Sequence, residues 1–358
     1  MSNTFANKFS ALLKCFFLAF ILISMTNLAI ELFLVSRAYT IIASDGRNLL
    51  KNIYVTEESD ASFSQQHSQD IFQGYQKTNY MFSVGPVRDF SMAVSFNGAA
   101  DGRRITSADS LSGREYQGIL LGASQSWGYF VDDKHLVSQL LMNRMSDVAI
   151  DNYSLLGATL DQSLSYWQSV ERNLEHKSFV IVIGGVFDVM SYCYLEPNAF
   201  NQKHQVTEQI GLVSFYNKLI AKLNLRQNLI YCSDKLDIDN VVQKVLNNIE
   251  LIELEAKRNN MKALIVIPPV PFFSSPNVSN FSSKSSFLEM KKALHPVYQS
   301  LNKRINSLDS ASVINLMQAF DHGEIYFLDP MGHLTERGHH KLAEEIINKV
   351  GEDFFRAK

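Results

Sequence analysis

At 358 residues, with 46% hydrophobic and 19% charged side chains, the chain has the composition of a folded protein large enough for one big domain or two ordinary ones. Its 33 basic residues against 36 acidic ones leave a net charge of -3, and no basic run interleaved with aromatics occurs, so the electrostatic footprint of a nucleic-acid partner is missing. The 3 cysteines form no C-x-x-C and no His/Cys cluster, so no zinc site or other metal site is expected, and no motif calls for a cofactor.

The first element in chain order is "CFFLAFILISMTNLAIELFLVS", Cys15 to Ser36, an apolar stretch long enough to cross the bilayer core as a helix. Only Asn27 and Glu31 interrupt it, with the headgroup region the ordinary place for such an acid. Lys8 and Lys14 precede it and Arg37 follows alone, which puts residues 1–14 in the cytoplasm and the rest outside. A cleaved signal peptide is the competing reading. No small-x-small cleavage site follows, however, and the apolar character resumes in "IELFLVS", which favours a retained anchor over 15–36. Cys193 and Cys232 are then the only pair in the exported part, where an oxidising compartment permits them to bond.

Residues 37–112 are polar and irregular, "EESDASFSQQHSQD" most of all, and read as a stalk followed by a packed leader. From 113 to 358 strand and helix patterns alternate. The strand candidates are "QGILLGA", "DVAIDNYS", "SFVIVIGG", "KALIVIPP" and "SVINL". Helical stretches fall between them: "DDKHLVSQLLMNRM", "LDQSLSYWQSVERNL", "IDNVVQKVLNNIELIELEAKRNN" and "SFLEMKKALHPVYQSLNKRINSL", with "TERGHHKLAEEIINKVGEDFF" last. This alternation predicts one three-layer α/β/α domain around a five-stranded parallel sheet of the flavodoxin-like, doubly wound kind, in addition to the transmembrane helix.

Ligands of such sheets bind outside the carboxyl ends of the strands. Ser124 stands at the first of those ends, in "GASQSWG"; Asn152 and Gly157 follow the second; Gly184, Gly185 and Asp188 follow the third; and "FLDPMGH" precedes the last helix. A serine, backbone N–H groups beside a glycine, and an Asp/His pair are the parts that acyl transfer requires.

Here the chain resembles the SGNH, or GDSL-like, hydrolases, over about Phe96 to Ile347. The nucleophile block is matched by Gly122-Ala123-Ser124 with Gly128, the Asn-x-x-x-x-Gly block by Asn152 to Gly157, the Gly-x-Asn-Asp block by Gly185-Val186-Phe187-Asp188, and the final Asp/His block by Asp329 to His333. The leader "SFNGAADGRR" is similar to the segment before the nucleophile in membrane-anchored bacterial members. The resemblance implies a bacterial inner-membrane, single-pass protein whose catalytic domain faces the periplasm or cell exterior. It implies Ser124 as nucleophile, His333 as base, Asp329 as its orienting carboxylate, and the N–H groups of Ser124 and Gly157 as oxyanion hole. The expected activity is that of a serine esterase or O-acyltransferase acting on acyl groups, acetyl foremost, of a cell-envelope or exported polysaccharide. The partners expected are an acylated glycan or other ester, the lipid bilayer, and a membrane-bound acyltransferase or polysaccharide export machinery. The alternative is a catalytically silent relative that binds glycan or serves assembly.

Three residues depart from the family pattern. Ala123 replaces an aspartate that is not part of the proton relay. Phe187 replaces the oxyanion-hole asparagine, and a phenyl ring donates no hydrogen bond; Gln125 and Asn152 are the candidate substitute donors. The Asp329-to-His333 spacing carries one extra residue, which Gly332 can absorb as a kink. Four further features have ordinary readings beside functional ones. Asp188 either caps a helix or shapes the site, and Trp127 packs rather than receiving a sugar. His339 and His340 read as surface or capping residues, and the Ser-rich loop Pro271 to Phe287 is either an insertion or a lid over the site.

Overall fold

The computed structural model describes residues 78–106, 111–170, 177–193, 232–273 and 276–356 with short interruptions, and positions 25 and 70 besides. The predicted anchor, Cys15 to Ser36, lies outside the described residues except for Met25, as does most of the predicted stalk; no helix among the described residues is long and apolar enough to cross a membrane.

A short antiparallel hairpin comes first, β1 (Thr78–Met81) with β2 (Gly85–Arg88). The main sheet follows, built from β3 (Tyr116–Gly122), β4 (Val148–Asn152), β5 (Phe179–Ile183), β6 (Lys262–Ile267) and β7 (Val313–Asn315), all parallel, in the order β4-β3-β5-β6-β7. Each of the five predicted strands is present. They are legible because a parallel strand covered on both faces is apolar throughout: Phe179, Val180, Ile181, Val182 and Ile183 are all buried in β5, the middle strand.

The connections are helical: α1 (Ser124–Trp127), α2 (Val137–Arg144), α3 (Leu160–Val170), α4 (Val186–Cys193), α5 (Lys235–Arg258), α6 (Ser285–Asn306), α7 (Glu336–Val350) and α8 (Asp353–Arg356). The predicted helix beginning at Asp132 divides into a 3₁₀ turn, Asp133–His135, and α2, and the last predicted helix divides at Gly351 into α7 and α8. One core cluster takes in both faces of the sheet, from Trp167 of α3 and Val245 of α5 to Leu342 of α7.

In this order the chain leaves β3 toward β4 on one side and crosses back to β5 on the other. The crevice outside the carboxyl ends of β3 and β5 is therefore the topological switch point. Gly122 closes the edge of that crevice at φ 140°, and a methyl group there would fall 2.1 Å from the Ile183 carbonyl oxygen, so only glycine allows the two strand ends to approach this closely. Cys193, at the end of α4, is bonded to Cys232 just before α5. A bridge closing a loop of this size stabilises a domain by about 3 to 4 kcal/mol, and here it pins the helix that follows the third strand end.

Candidate active site

Ser124 is the first residue of α1, directly past the end of β3, and is half-buried. Ala123 occupies the cap position and brings no side chain to the helix start. Two contacts bring the C-terminal motif to this point. Gln125 Nε2 donates to the Gly332 carbonyl at 2.8 Å and to the Pro269 carbonyl at 3.2 Å, so the residue after the serine is bonded to the residue before His333. Tyr129, whose N–H donates to the Ser124 carbonyl at 3.1 Å, lays its ring 4.2 Å from the His333 imidazole.

His333 Nδ1 lies 2.6 Å from Asp329 Oδ2. The other carboxylate oxygen, Oδ1, accepts from the N–H groups of Met331 at 2.9 Å and His333 at 3.3 Å, which fixes the carboxylate in the plane it needs. The extra residue in this block is absorbed where the sequence places it, at Gly332, with φ 86°. A carboxylate on Nδ1–H leaves Nε2 as the imidazole's free basic nitrogen. The Ser124 hydroxyl makes no hydrogen bond among the described residues; in free enzymes that link often tightens only when substrate binds.

The second and third strand ends supply the opposite wall. After β4 the Leu155 N–H donates to the Gly122 carbonyl at 3.0 Å, carrying the chain past the nucleophile to Gly157. Phe187 stands on α4 so that a methyl group built on Gly157 would be 3.6 Å from its Cζ. The ring at the position where an asparagine was expected therefore lies against the glycine expected to donate to the oxyanion.

The two expected substitute donors have other engagements. Gln125 spends its amide N–H groups on the Gly332 and Pro269 carbonyls. Asn152, fully buried, donates from Nδ2 to the Ser126 carbonyl at 3.0 Å and accepts from the Ser154 N–H at 3.0 Å. Gln125 thus commits both of its amide N–H groups to the frame of the site, and Asn152 commits one of its two, because the nearby buried carbonyls need donors.

Asp188 unites its two readings. It is fully buried and accepts from the Leu160 N–H at 2.9 Å, capping α3, and from the Gly185 N–H at 3.3 Å. Those bonds tie the end of the Gly157 loop to the third strand end. Trp127 packs as expected, fully buried against Phe90 and Phe96, with Nε1 donating to the Gly102 carbonyl at 2.9 Å. Of the Ser-rich loop, Pro271 borders Gly332, and Asn277 donates to the Gly323 carbonyl at 2.9 Å. A groove of about 620 Å³ between α2 and α7, lined by Arg144, Tyr326, Arg337, His340 and Lys341, includes none of these residues.

His339 departs from its surface reading. It is fully buried, neither ring nitrogen has a hydrogen-bond partner among the described residues, and burial pulls its pKa down to about 3. Burial pushes Asp188 the other way, to about 7, against the backbone N–H groups that favour its anion. Between about pH 4 and 6.5 the unfolded chain holds a proton on residue 339 that the folded chain lacks, so this term raises stability with pH. The folded chain holds a proton on Asp188 that the unfolded chain lacks, so that term lowers it. Each amounts to at most about 1.4 kcal/mol per pH unit, and the two oppose each other. His339→Leu should therefore expose a melting temperature that falls from pH 4.5 to 6.5, and Asp188→Asn one that rises. Equal slopes in the wild type and both variants would show that neither group titrates abnormally.

No protein-family model matches the chain, and no curated protein matches it. Solved structures similar to it include the psychrotrophic esterase EstA from Pseudoalteromonas sp., at 13% identity over 66% of this chain and 96% of that one, TM-score 0.36. The lipase Lip_vut3 from a goat rumen metagenome has 10% identity over 67% and 99%, TM-score 0.41. A catalytic mutant of Axe2, an acetylxylan esterase from Geobacillus stearothermophilus, has 13% identity over 69% and 99%, TM-score 0.37. Likenesses this distant assign no activity. The sheet order, the serine at the end of β3, the glycine loop after β4 and the Asp329–His333 pair before α7 together give the chain an SGNH hydrolase-like fold.

Proposed function

We propose that the chain is a membrane-anchored, extracytoplasmic serine esterase or O-acyltransferase that handles acetyl groups on a cell-envelope or exported polysaccharide. The observation that carries the proposal is the Asp329–His333 pair, closed at 2.6 Å and held against the nucleophile turn through Gln125. In the reaction Ser124 Oγ attacks the ester carbonyl while His333 Nε2 takes its proton. Asp329 balances the imidazolium, and the N–H groups of Ser124 and Gly157 receive the oxyanion. Collapse expels the alcohol with the proton from His333, leaving an acyl-serine for water or a sugar hydroxyl to attack. The Cys193–Cys232 bond supports an oxidising compartment, as the apolar stretch 15–36 supports an anchor. A lipid bilayer and an export or acyltransferase assembly are the partners that fit such a place.

The second reading, a silent glycan-binding or assembly protein, draws on Phe187 alone. Incubation with p-nitrophenyl acetate, with and without a hydroxyl-bearing oligosaccharide, separates them. Nitrophenol release with acetate in solution supports the esterase, release with acetate on the sugar supports the transferase, and no release above the uncatalysed rate favours binding.

A further inference from the structure

We infer that the leader segment is built into the active site, with Arg104 and Tyr129 as the positioning residues that fix the plane of the His333 imidazole. The inference rests on the esterase reading above. Arg104 is fully buried, its guanidinium 4.8 Å from the centre of the Phe96 ring and 5.2 Å from that of Trp127. From Nη1 it donates to two carbonyls, Gly128 at 2.8 Å and Val131 at 2.7 Å, which are the two ends of one turn. Nε and Nη2 both donate to Asp133 Oδ1, and the other oxygen of Asp133 accepts from the backbone and side chain of Asn97, again in the leader. One cation thus clamps the turn 128–131 to residues 96–104.

That turn needs a clamp. Gly128 and Phe130 both have positive φ, 85° and 65°, and a bulky aromatic residue adopts the left-handed region only when its surroundings impose it. What the clamped turn presents is a pair of rings to one imidazole: Tyr129 at 4.2 Å and 34° to its face, Phe130 at 6.3 Å and 82°. The Asp329 hydrogen bond fixes His333 within its ring plane but leaves the ring free to tilt about the Nδ1 contact. Contact on the face removes that freedom, so the two restraints together set the direction of Nε2, which must point at Ser124 for proton transfer.

The test uses the full chain, with p-nitrophenyl acetate turnover and the rate of fluorophosphonate labelling at Ser124 as readouts. Tyr129→Leu should lower kcat and the labelling rate about 10- to 100-fold while KM stays within about twofold, because substrate binding is untouched and only the proton-transfer geometry is lost. Tyr129→Phe, which keeps the ring, should restore both rates. Arg104→Lys, which keeps the charge but cannot hold both carbonyls and Asp133 at once as the three guanidinium nitrogens do, should show the same kcat loss at a melting temperature that confirms folding; if it does not fold, the Tyr129 pair decides alone. A Tyr129→Leu protein with wild-type kcat, or a loss that appears in KM instead, overturns the inference and leaves the esterase reading intact. A wild type that neither turns over the ester nor labels at Ser124 overturns both.

Discussion

On the proposed esterase reading, Ser124→Ala should lower ester cleavage by at least about 10⁴-fold in kcat and leave the fold unchanged. The expected loss is large because the hydroxyl is the atom that would form the acyl bond. The fold survives because the side chain is small and half-buried, makes no hydrogen bond among the described residues, and stands at the head of a four-residue helix whose other members carry the packing. His333→Ala should lose activity to a similar degree, and the double variant should be no worse than either single one, since the two groups act as a unit. Steady-state kinetics beside a thermal melt measures all three. Wild-type turnover in Ser124→Ala excludes the triad.

Phe187→Asn should raise turnover on a small activated ester, by as much as about 10²-fold, because it places a hydrogen-bond donor on the wall beside Gly157. The geometry sharpens this expectation. The Phe187 ring lies at Gly157, both Gln125 amide N–H groups are held by carbonyls, and so is one of the two on Asn152. Deleting a fully buried phenyl group costs about 3 to 5 kcal/mol, and the incomplete burial of Phe187 places its cost below that range. Kinetics and melting on the same preparation separate a gained donor from a loosened loop. A folded variant with unchanged kcat would mean that oxyanion stabilisation does not limit this site.

The elements that position the site were legible because each rests on a local rule. Parallel strands buried on both faces read as "ILLG" and "FVIVI", and each ends where glycine or a polar residue begins. The Asp329–His333 pair was legible for the same reason, its partners being close in sequence. Contacts that depend on long-range closure left no such trace. Nothing in "SQSWGYF" says that Phe130 takes a left-handed backbone or that Tyr129 meets a histidine two hundred residues away, and nothing marks Arg104 as buried rather than solvated. The engagement of Gln125 depends on the same closure, since its partners, Pro269 and Gly332, are set by the sheet. His339 is different: it shares a helix face with Leu342, Ala343 and Ile346, all buried, and the i, i+3, i+4, i+7 spacing was there to be read.

Covalent labelling reads out whether Ser124 is an activated nucleophile. A fluorophosphonate forms a bond from its phosphorus to the serine oxygen, expels fluoride, and requires the hydroxyl proton to pass to a base; intact mass followed by peptide mapping then identifies the modified residue. The expected result is a single adduct on Ser124, abolished in Ser124→Ala and slowed in His333→Ala. An unlabelled protein, or an adduct on any other residue, would contradict it.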